Sequence, residues 1–254
     1  MNHRMKVFVL LACVSVTAVA ADVNGELGWA RQITVSVPFT GQVETLNLRP
    51  GQAVEAGQLL LQLDARVARA QVVQARSELK HADLEREEAQ REWDRAQELF
   101  DRTVLSEREL QVAEIGYAAA DAAYQAAQAH QVAAEIVLDH HSPKAPFSAW
   151  VLAAHVVPGQ TLVNTHEPMP LVTLAERGRM TAQASLNAAQ VATLKAGDSA
   201  QVRIGDQSFD AQVVEVGIAP QSVERPALYN LVVEFTVPMD ATLRAGQPAT
   251  LVLP

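Results

Sequence analysis

A chain of 254 residues, 49% hydrophobic and 19% charged, has the composition of one or two folded domains and not of a disordered segment. Its net charge of −9 excludes a nucleic-acid binder, which needs a basic surface to displace counterions. Only 5% of residues are aromatic, so a lined coenzyme pocket is not expected, and the single cysteine, Cys13, leaves no disulfide framework.

Residues 1–21 read as an export signal: Arg4 and Lys6 are basic, Val7 to Val16 are apolar, and Ala18-Val19-Ala20 is an A-x-A cleavage site. The apolar run falls short of the ~20 residues that span a bilayer. Cleavage after Ala20 or Ala21 leaves 18 basic against 29 acidic side chains, a net charge of −11. Leu10-Leu11-Ala12-Cys13 loosely matches a lipoprotein processing box, but the chain stays apolar through Ala21. Simple secretion is the reading, with a lipid anchor at Cys13 as the alternative.

Residues 33–64 run as short strands, Ile33 to Val37, Gly41 to Leu48 and Gln58 to Leu63, with turns at Pro50-Gly51 and Ala56-Gly57. Part of this stretch occurs twice. Val37-Pro38-Phe39-Thr40-Gly41-Gln42-Val43 is echoed by Ala145-Pro146-Phe147-Ser148-Ala149-Trp150-Val151, and Pro50-Gly51-Gln52 by Pro158-Gly159-Gln160, both at an offset of 108 residues. Residues 143–175, with strands at Ala149 to Val157 and Leu171 to Leu174, therefore complete a small β-domain that residues 33–64 begin.

The intervening residues 65–139 lack proline and hold one glycine, Gly116, among many Ala, Glu, Gln, Arg and Leu. Seam positions recur by alternating steps of four and three. On the first arm they run from Ala68, Val72, Ala75, Leu79 and Ala82 through Arg86, Ala89, Trp93 and Ala96 to Phe100. On the second they run from Leu110, Ala113, Tyr117, Ala120, Tyr124 and Ala127 through Gln131 and Ala134 to Leu138. The pattern breaks at Asp101 to Leu105, and Ser106-Glu107-Arg108-Glu109 reads as a capping box. This predicts an antiparallel α-helical coiled-coil hairpin, each arm roughly 50 Å long at ~1.5 Å per residue.

Residues 176–254 read as strands, Thr181 to Leu186, Ala200 to Ile204, Phe209 to Val216, Tyr229 to Val237 and Thr250 to Leu253, with one short helix capped by Asn187 and closed by Gly197. Such spacing predicts a small β-barrel. The fold class is thus mixed α and β and elongated: a split lipoyl-like β-domain with an inserted helical hairpin, followed by the barrel.

Split half-motifs around a helical hairpin, with a barrel after them, resemble the periplasmic adaptor subunits (membrane fusion proteins, HlyD/RND type) of tripartite efflux systems. Gly41 to Gly51 and Lys144 to Ser148 carry the likeness in the two halves, and Leu243 to Gln247 resembles the turn before the family's last barrel strand. The family's Arg-x3-Leu-x6-Ser tip pattern is matched by Arg95, Leu99 and Ser106. The resemblance implies that these three dock on an outer-membrane channel. It also implies an inner-membrane transporter partner, RND ahead of ABC, a homo-oligomer that is a hexamer, and a periplasmic location at the inner membrane. No cofactor and no enzyme activity are expected. Only about ten residues precede the first lipoyl-like strand and the sequence stops at Pro254, so the family's membrane-proximal domain is expected to be missing, with pump contact made by the barrel or a lipid at Cys13, or with a different partner pump.

Singly, the tip residues have plainer roles: Ser106 as an N-cap, Leu99 packing the end of the coil, Arg95 beside Glu98 or Asp101. A free-standing coiled-coil scaffold remains an alternative. A lipoyl or biotinyl carrier needs a lysine on the turn between the halves, where Lys80 and Lys144 do not lie. A metal-binding protein finds no ligand spacing in His130, His140, His141, His155 and His166, which read as surface or capping residues.

Overall fold

The computed structural model describes residues 21–163, 169–220 and 227–254, so residues 1–20, with Cys13 and nearly all of the expected signal, and His166 lie outside the described residues. The chain forms two compact units, residues 32–175 and a second from residues up to 31 together with 176–254.

In the first unit the strands are β2 (Gln32–Ser36), β3 (Gly41–Leu46), β4 (Ala53–Val54), β5 (Leu61–Leu63), β6 (Ala149–Ala154), β7 (Thr161–Leu162) and β8 (Pro170–Glu176). They make a four-stranded sheet, β2-β8-β6-β4, and a three-stranded one, β5-β3-β7. The 108-residue echo is structural. Val37 and Ala145, Val43 and Val151, Leu48 and Val156, Val54 and Leu162, and Leu63 and Leu171 are all buried in one core. The backbone repeats the relation: the Gly51 amide donates to the Val151 carbonyl (2.7 Å) and the Gly159 amide to the Val43 carbonyl (2.8 Å). In return the Val151 amide donates to Gln52 and the Val43 amide to Gln160, each at 2.9 Å. Each half thus completes the other's hydrogen bonding, and neither closes its core alone.

The chain leaves this sandwich after Leu63 and returns at His141, whose carbonyl accepts from the Leu63 amide (2.8 Å). Between lie α1 (Arg66–Asp101) and α2 (Glu107–Asp139). Arg76 meets Glu135 at 2.8 Å, His130 meets Glu78 at 2.9 Å, Arg86 reaches Asp121 at 3.9 Å, and Trp93 stacks on Tyr117 at 5.2 Å. Numbers rise on α1 as they fall on α2, so the helices lie antiparallel along their length. Every seam position except Phe100 is buried or half-buried. Arg86 fits in the seam because its guanidinium lies 4.0 Å from the Tyr124 ring centroid and bonds Asp83 at 2.8 Å, so the charge enters the interface with partners. At the root, Asp64 accepts from both the backbone and the side chain of Arg66, which lowers its pKa to about 2.

The second unit is a closed barrel of β1 (Ala21–Trp29), β13 (Pro248–Leu253), β10 (Ser199–Ile204), β11 (Gln207–Pro220), β12 (Leu228–Thr236) and β9 (Arg179–Asn187), in that order. Its core includes Leu27, Met180, Leu186, Val202, Leu231, Phe235 and Leu251. This corrects the expected barrel of residues 176–254, because residues 21–29 supply the strand between β13 and β9. Gly25 interrupts the apolar alternation there for a physical reason. It pairs with both Ala249 and Ala184, and a Cβ on it would lie 2.4 Å from the Gln183 carbonyl oxygen. The helix α3 (Ala188–Val191) is capped by Asn187, whose Oδ1 accepts from the Ala189 and Gln190 amides.

One turn design recurs in both units. Arg49-Pro50-Gly51-Gln52, Glu55-Ala56-Gly57-Gln58, Val157-Pro158-Gly159-Gln160 and Arg244-Ala245-Gly246-Gln247 each place glycine at φ between 80° and 84°. In each, the glutamine side-chain oxygen accepts from the amide of the turn's first residue, at 2.9–3.1 Å. Proline or alanine before a left-handed glycine is the chemistry of a type II turn. The last of these turns bonds to β1: the Gly246 amide donates to Leu27 O and the Leu27 amide to Gln247 O, both 2.8 Å.

Nothing lies within 4 Å of a Cβ built on Gly51 or Gly159, so alanine there adds backbone strain alone. Gly51→Ala and Gly159→Ala are each expected to lower unfolding free energy by about 1–2 kcal/mol. Gly116→Ala, at an open mid-helix position, is expected to raise it by about 0.5–1 kcal/mol. Urea denaturation of the three variants checks both signs.

Candidate docking tip of the helical hairpin

The tip is built by two helix ends stopped in different ways. α1 closes in a Schellman arrangement: the Val104 amide donates to Leu99 O at 3.0 Å and the Thr103 amide to Phe100 O at 2.8 Å. The left-handed position that glycine usually takes there is held by Thr103, at φ 60°. It is the one non-glycine residue with positive φ among the described residues, and a β-branched side chain is poorly suited to it. α2 opens with a full capping box. The Ser106 hydroxyl accepts from the Glu109 amide (3.3 Å) and donates to the Glu109 carboxylate (2.6 Å), which also takes the Ser106 amide (2.9 Å). These bonds from the Ser106 side chain and backbone hold the Glu109 pKa below its usual value.

The three residues named for docking are held differently. Ser106 is exposed and its hydroxyl proton is engaged by Glu109. Leu99 is half-buried, and its carbonyl anchors the Schellman bond. Arg95 is exposed on α1 and makes no hydrogen bond or ion pair with any described residue, Glu98 and Asp101 included. At the turn Val104 is 70% and Phe100 37% exposed, among exposed charged residues that include Asp101, Arg102, Glu107 and Arg108. Sequence reasoning missed the strained Thr103. The Asp101–Leu105 interruption locates the turn but gives no signal of its handedness.

The histidines do not converge, and among the described residues no three His, Cys, Asp or Glu side chains are grouped to hold a metal ion. His141 takes the capping role of the surface-or-capping reading, but it is not on the surface. It is nearly buried, stacks on Phe39 at 4.3 Å and bonds the Val137 carbonyl through Nδ1 at 2.8 Å, closing α2 against the sandwich. His155 Nε2 lies 2.8 Å from Thr173 Oγ1.

A family model described as RND MFP, barrel-sandwich hybrid domain, matches residues 31–175, the interlocked halves and the hairpin between them. The chain belongs to this family of membrane fusion proteins, the adaptors of tripartite efflux systems. It is 28% identical over 232 residues to the macrolide export protein MacA of Yersinia pestis, covering 85% of this chain and 62% of that protein's length. Among solved structures it is similar to the membrane fusion protein Spr0693 of Streptococcus pneumoniae (TM-score 0.68, 15% identity, 92% and 98% of the two chains). It is also similar to a MacA–MexA chimera carrying the α-hairpin domain of Pseudomonas aeruginosa MexA (TM-score 0.68, 21% identity, 92% and 80%). These likenesses carry the membrane fusion protein fold across both units. Among the described residues no helix is long and apolar enough to cross a membrane.

Cap chemistry at these two helix ends controls the rigidity of the tip. Ser106→Ala is expected to cost the hairpin about 1 kcal/mol. Thr103→Gly is expected to stabilise it by about 1 kcal/mol through relief of left-handed strain. Because the Glu109 pKa is depressed in the folded chain, the box contributes above the ordinary glutamate value of 4.5 and is lost as pH falls through the lower folded value. Thermal unfolding followed by circular dichroism at pH 7 and pH 3 checks this: the deficit of Ser106→Ala relative to the parent shrinks in acid.

Proposed function

We propose that this chain is a periplasmic adaptor that joins an inner-membrane efflux transporter to an outer-membrane exit duct and lines a sealed path for substrate between them. In this reading α1 and α2 wind as an antiparallel coiled coil, several hairpins bundle into a sleeve, and the tip seats on the duct through Arg95, Leu99 and Ser106. The observation that carries it is the tip itself. Two capped helix ends hold a tight turn at the far end of the helix pair, with Phe100 and Val104 exposed at the turn and an exposed, uncommitted Arg95 further back on α1. An arginine with no internal partner is ready for a bidentate acceptor on another protein.

Each tip makes few contacts, so affinity comes from ring symmetry and many tips acting together. We propose a homo-oligomer, taken as a hexamer, with an RND transporter ahead of an ABC one as its inner-membrane partner. The protein acts in the periplasm at the inner membrane, and its work is mechanical, with no bond made or broken.

Single cysteines at Arg95, Leu99 and Ser106, with Glu85 on the mid-helix face as control, test the docking in cells. The expected result is a cross-link to an outer-membrane channel from the three tip positions and none from Glu85. Equal behaviour of tip and control in a folded, expressed protein would contradict it.

A further inference from the structure

The barrel has two unlike rims. At one of them the register places Ala21 beside Leu253, Asn187 beside Leu228 and Pro220 beside Tyr229. The links to the first unit leave from the other, where Trp29 pairs with Met180 and Arg179 with Thr236. On the first rim Ile218 is 97% exposed, and the backbone is built to expose it. β11 slips register between Val216 and Pro220, and a Cβ on Gly217 would lie 3.0 Å from the Asn230 backbone nitrogen and oxygen. Such a bulge presses the strand onto its neighbour at the glycine and re-aims the side chain that follows. Beside Ile218 a shallow groove runs past α3, lined by Ala188, Val191, Ala192, Ala196 and Tyr229. Leu228, on the same rim, is 38% exposed.

Charge at this rim is mostly committed. Asp22 lies 3.6 Å from Arg203, and Asp198 accepts from the Lys195 amide at 2.7 Å. Glu215 stands further down the wall, opposite Val232. Among the described residues that line the groove, Lys195 carries the one charge. An aliphatic knob on a patch of small residues, bordered by a lysine and a tyrosine, has the chemistry of a membrane interface. The knob enters the acyl layer while the polar tips stay among the headgroups. The preceding chain points to the same apolar phase. Residues 7–21 contain no charged side chain, and they run into β1 without a linker, since Ala21 already pairs with Leu253. A run so apolar partitions into the bilayer that an exported chain crosses, so this rim is the part of the barrel delivered to lipid. We infer that the rim rests on the lipid surface of the inner membrane, with Ile218 inserted among the acyl chains and Lys195 at the phosphates. This gives the location proposed above a contact surface, and it rests on that reading only for which membrane is met.

Flotation of the purified secreted chain on vesicles of phosphatidylethanolamine and phosphatidylglycerol tests this. A Cys13→Ser background removes any lipid anchor, and the mass of the protein shows that residues 1–20 are gone. The parent is expected to float with the vesicles. Ile218→Asp, at an almost fully exposed position, is expected to keep the parental circular dichroism while its bound fraction falls about tenfold. Val73→Asp, the same kind of change on the exposed side of α1, is expected to float as the parent does. An environment-sensitive fluorophore on Ile218→Cys is expected to shift to the blue on the vesicles, and the same label on Ser208→Cys, at the other rim, to stay unchanged. The inference is overturned if the parent stays unbound or if Ile218→Asp floats like the parent. It is also overturned if the Ile218 label shifts only on whole inner membranes, which assigns the rim to a membrane protein. A shift in lipid-free protein at rising concentration assigns the rim to a second copy and overturns it too. Tip cross-links are scored apart, so lipid binding lost with docking intact sinks this inference alone, and docking lost with lipid binding intact sinks only the duct reading.

Discussion

Four reciprocal backbone bonds hold the arrangement together: Gly51 to Val151, Val151 to Gln52, Gly159 to Val43 and Val43 to Gln160. Each joins residues that are about a hundred positions apart, and each is duplicated by the 108-residue relation. The loop-closure entropy of bringing them together is large, and the return comes only when both half-cores, Val43 with Leu63 and Val151 with Leu171, are buried at once. The hairpin is the loop that this closure spans. Its root is therefore fixed on both strands, by Leu63 against His141 on the way out and by His141 against Phe39 on the return.

From that fixed root the helix pair carries position outward. Seam packing supplies the stiffness, and paired charges supply the register: Arg76 with Glu135 near the base, Arg86 with Asp121 and Tyr124 midway. Exposed ion pairs of this kind contribute little energy each. Their value is geometric, since a slip of either helix would strand Arg86 in an apolar seam. The tip then inherits a defined orientation from the sandwich without touching it, and chemistry at the far end is reduced to a few uncommitted groups.

Much of this was legible in the residues because the signals were local or repeated. The helices followed from composition and a 3.5-residue period, the Ser106 cap from four letters, and the split sandwich from an echo that survives as matched burial. The glycine-glutamine turns share a motif that reads directly as backbone geometry. What escaped reading depended on distant partners. Residues 21–29 carry no clear strand signal because Gly25 and Gly28 break their alternation, yet Gly25 is demanded by the approach of the Gln183 carbonyl. His141 looked like one of several surface or capping histidines, and only its meeting with Phe39 gives it a buried role. The left-handed Thr103 violates local preference, so no propensity argument could have placed it.

The most direct measurement is native-state hydrogen exchange of the Val43, Gly51, Val151 and Gly159 amides. If two interlocked halves form one cooperative unit that fixes the hairpin root, all four exchange together, in the slowest class and with one common denaturant dependence. If the Val43 and Gly159 amides exchange far faster than those of Gly51 and Val151, or the reverse, the halves open independently and the hairpin is not held from a closed base.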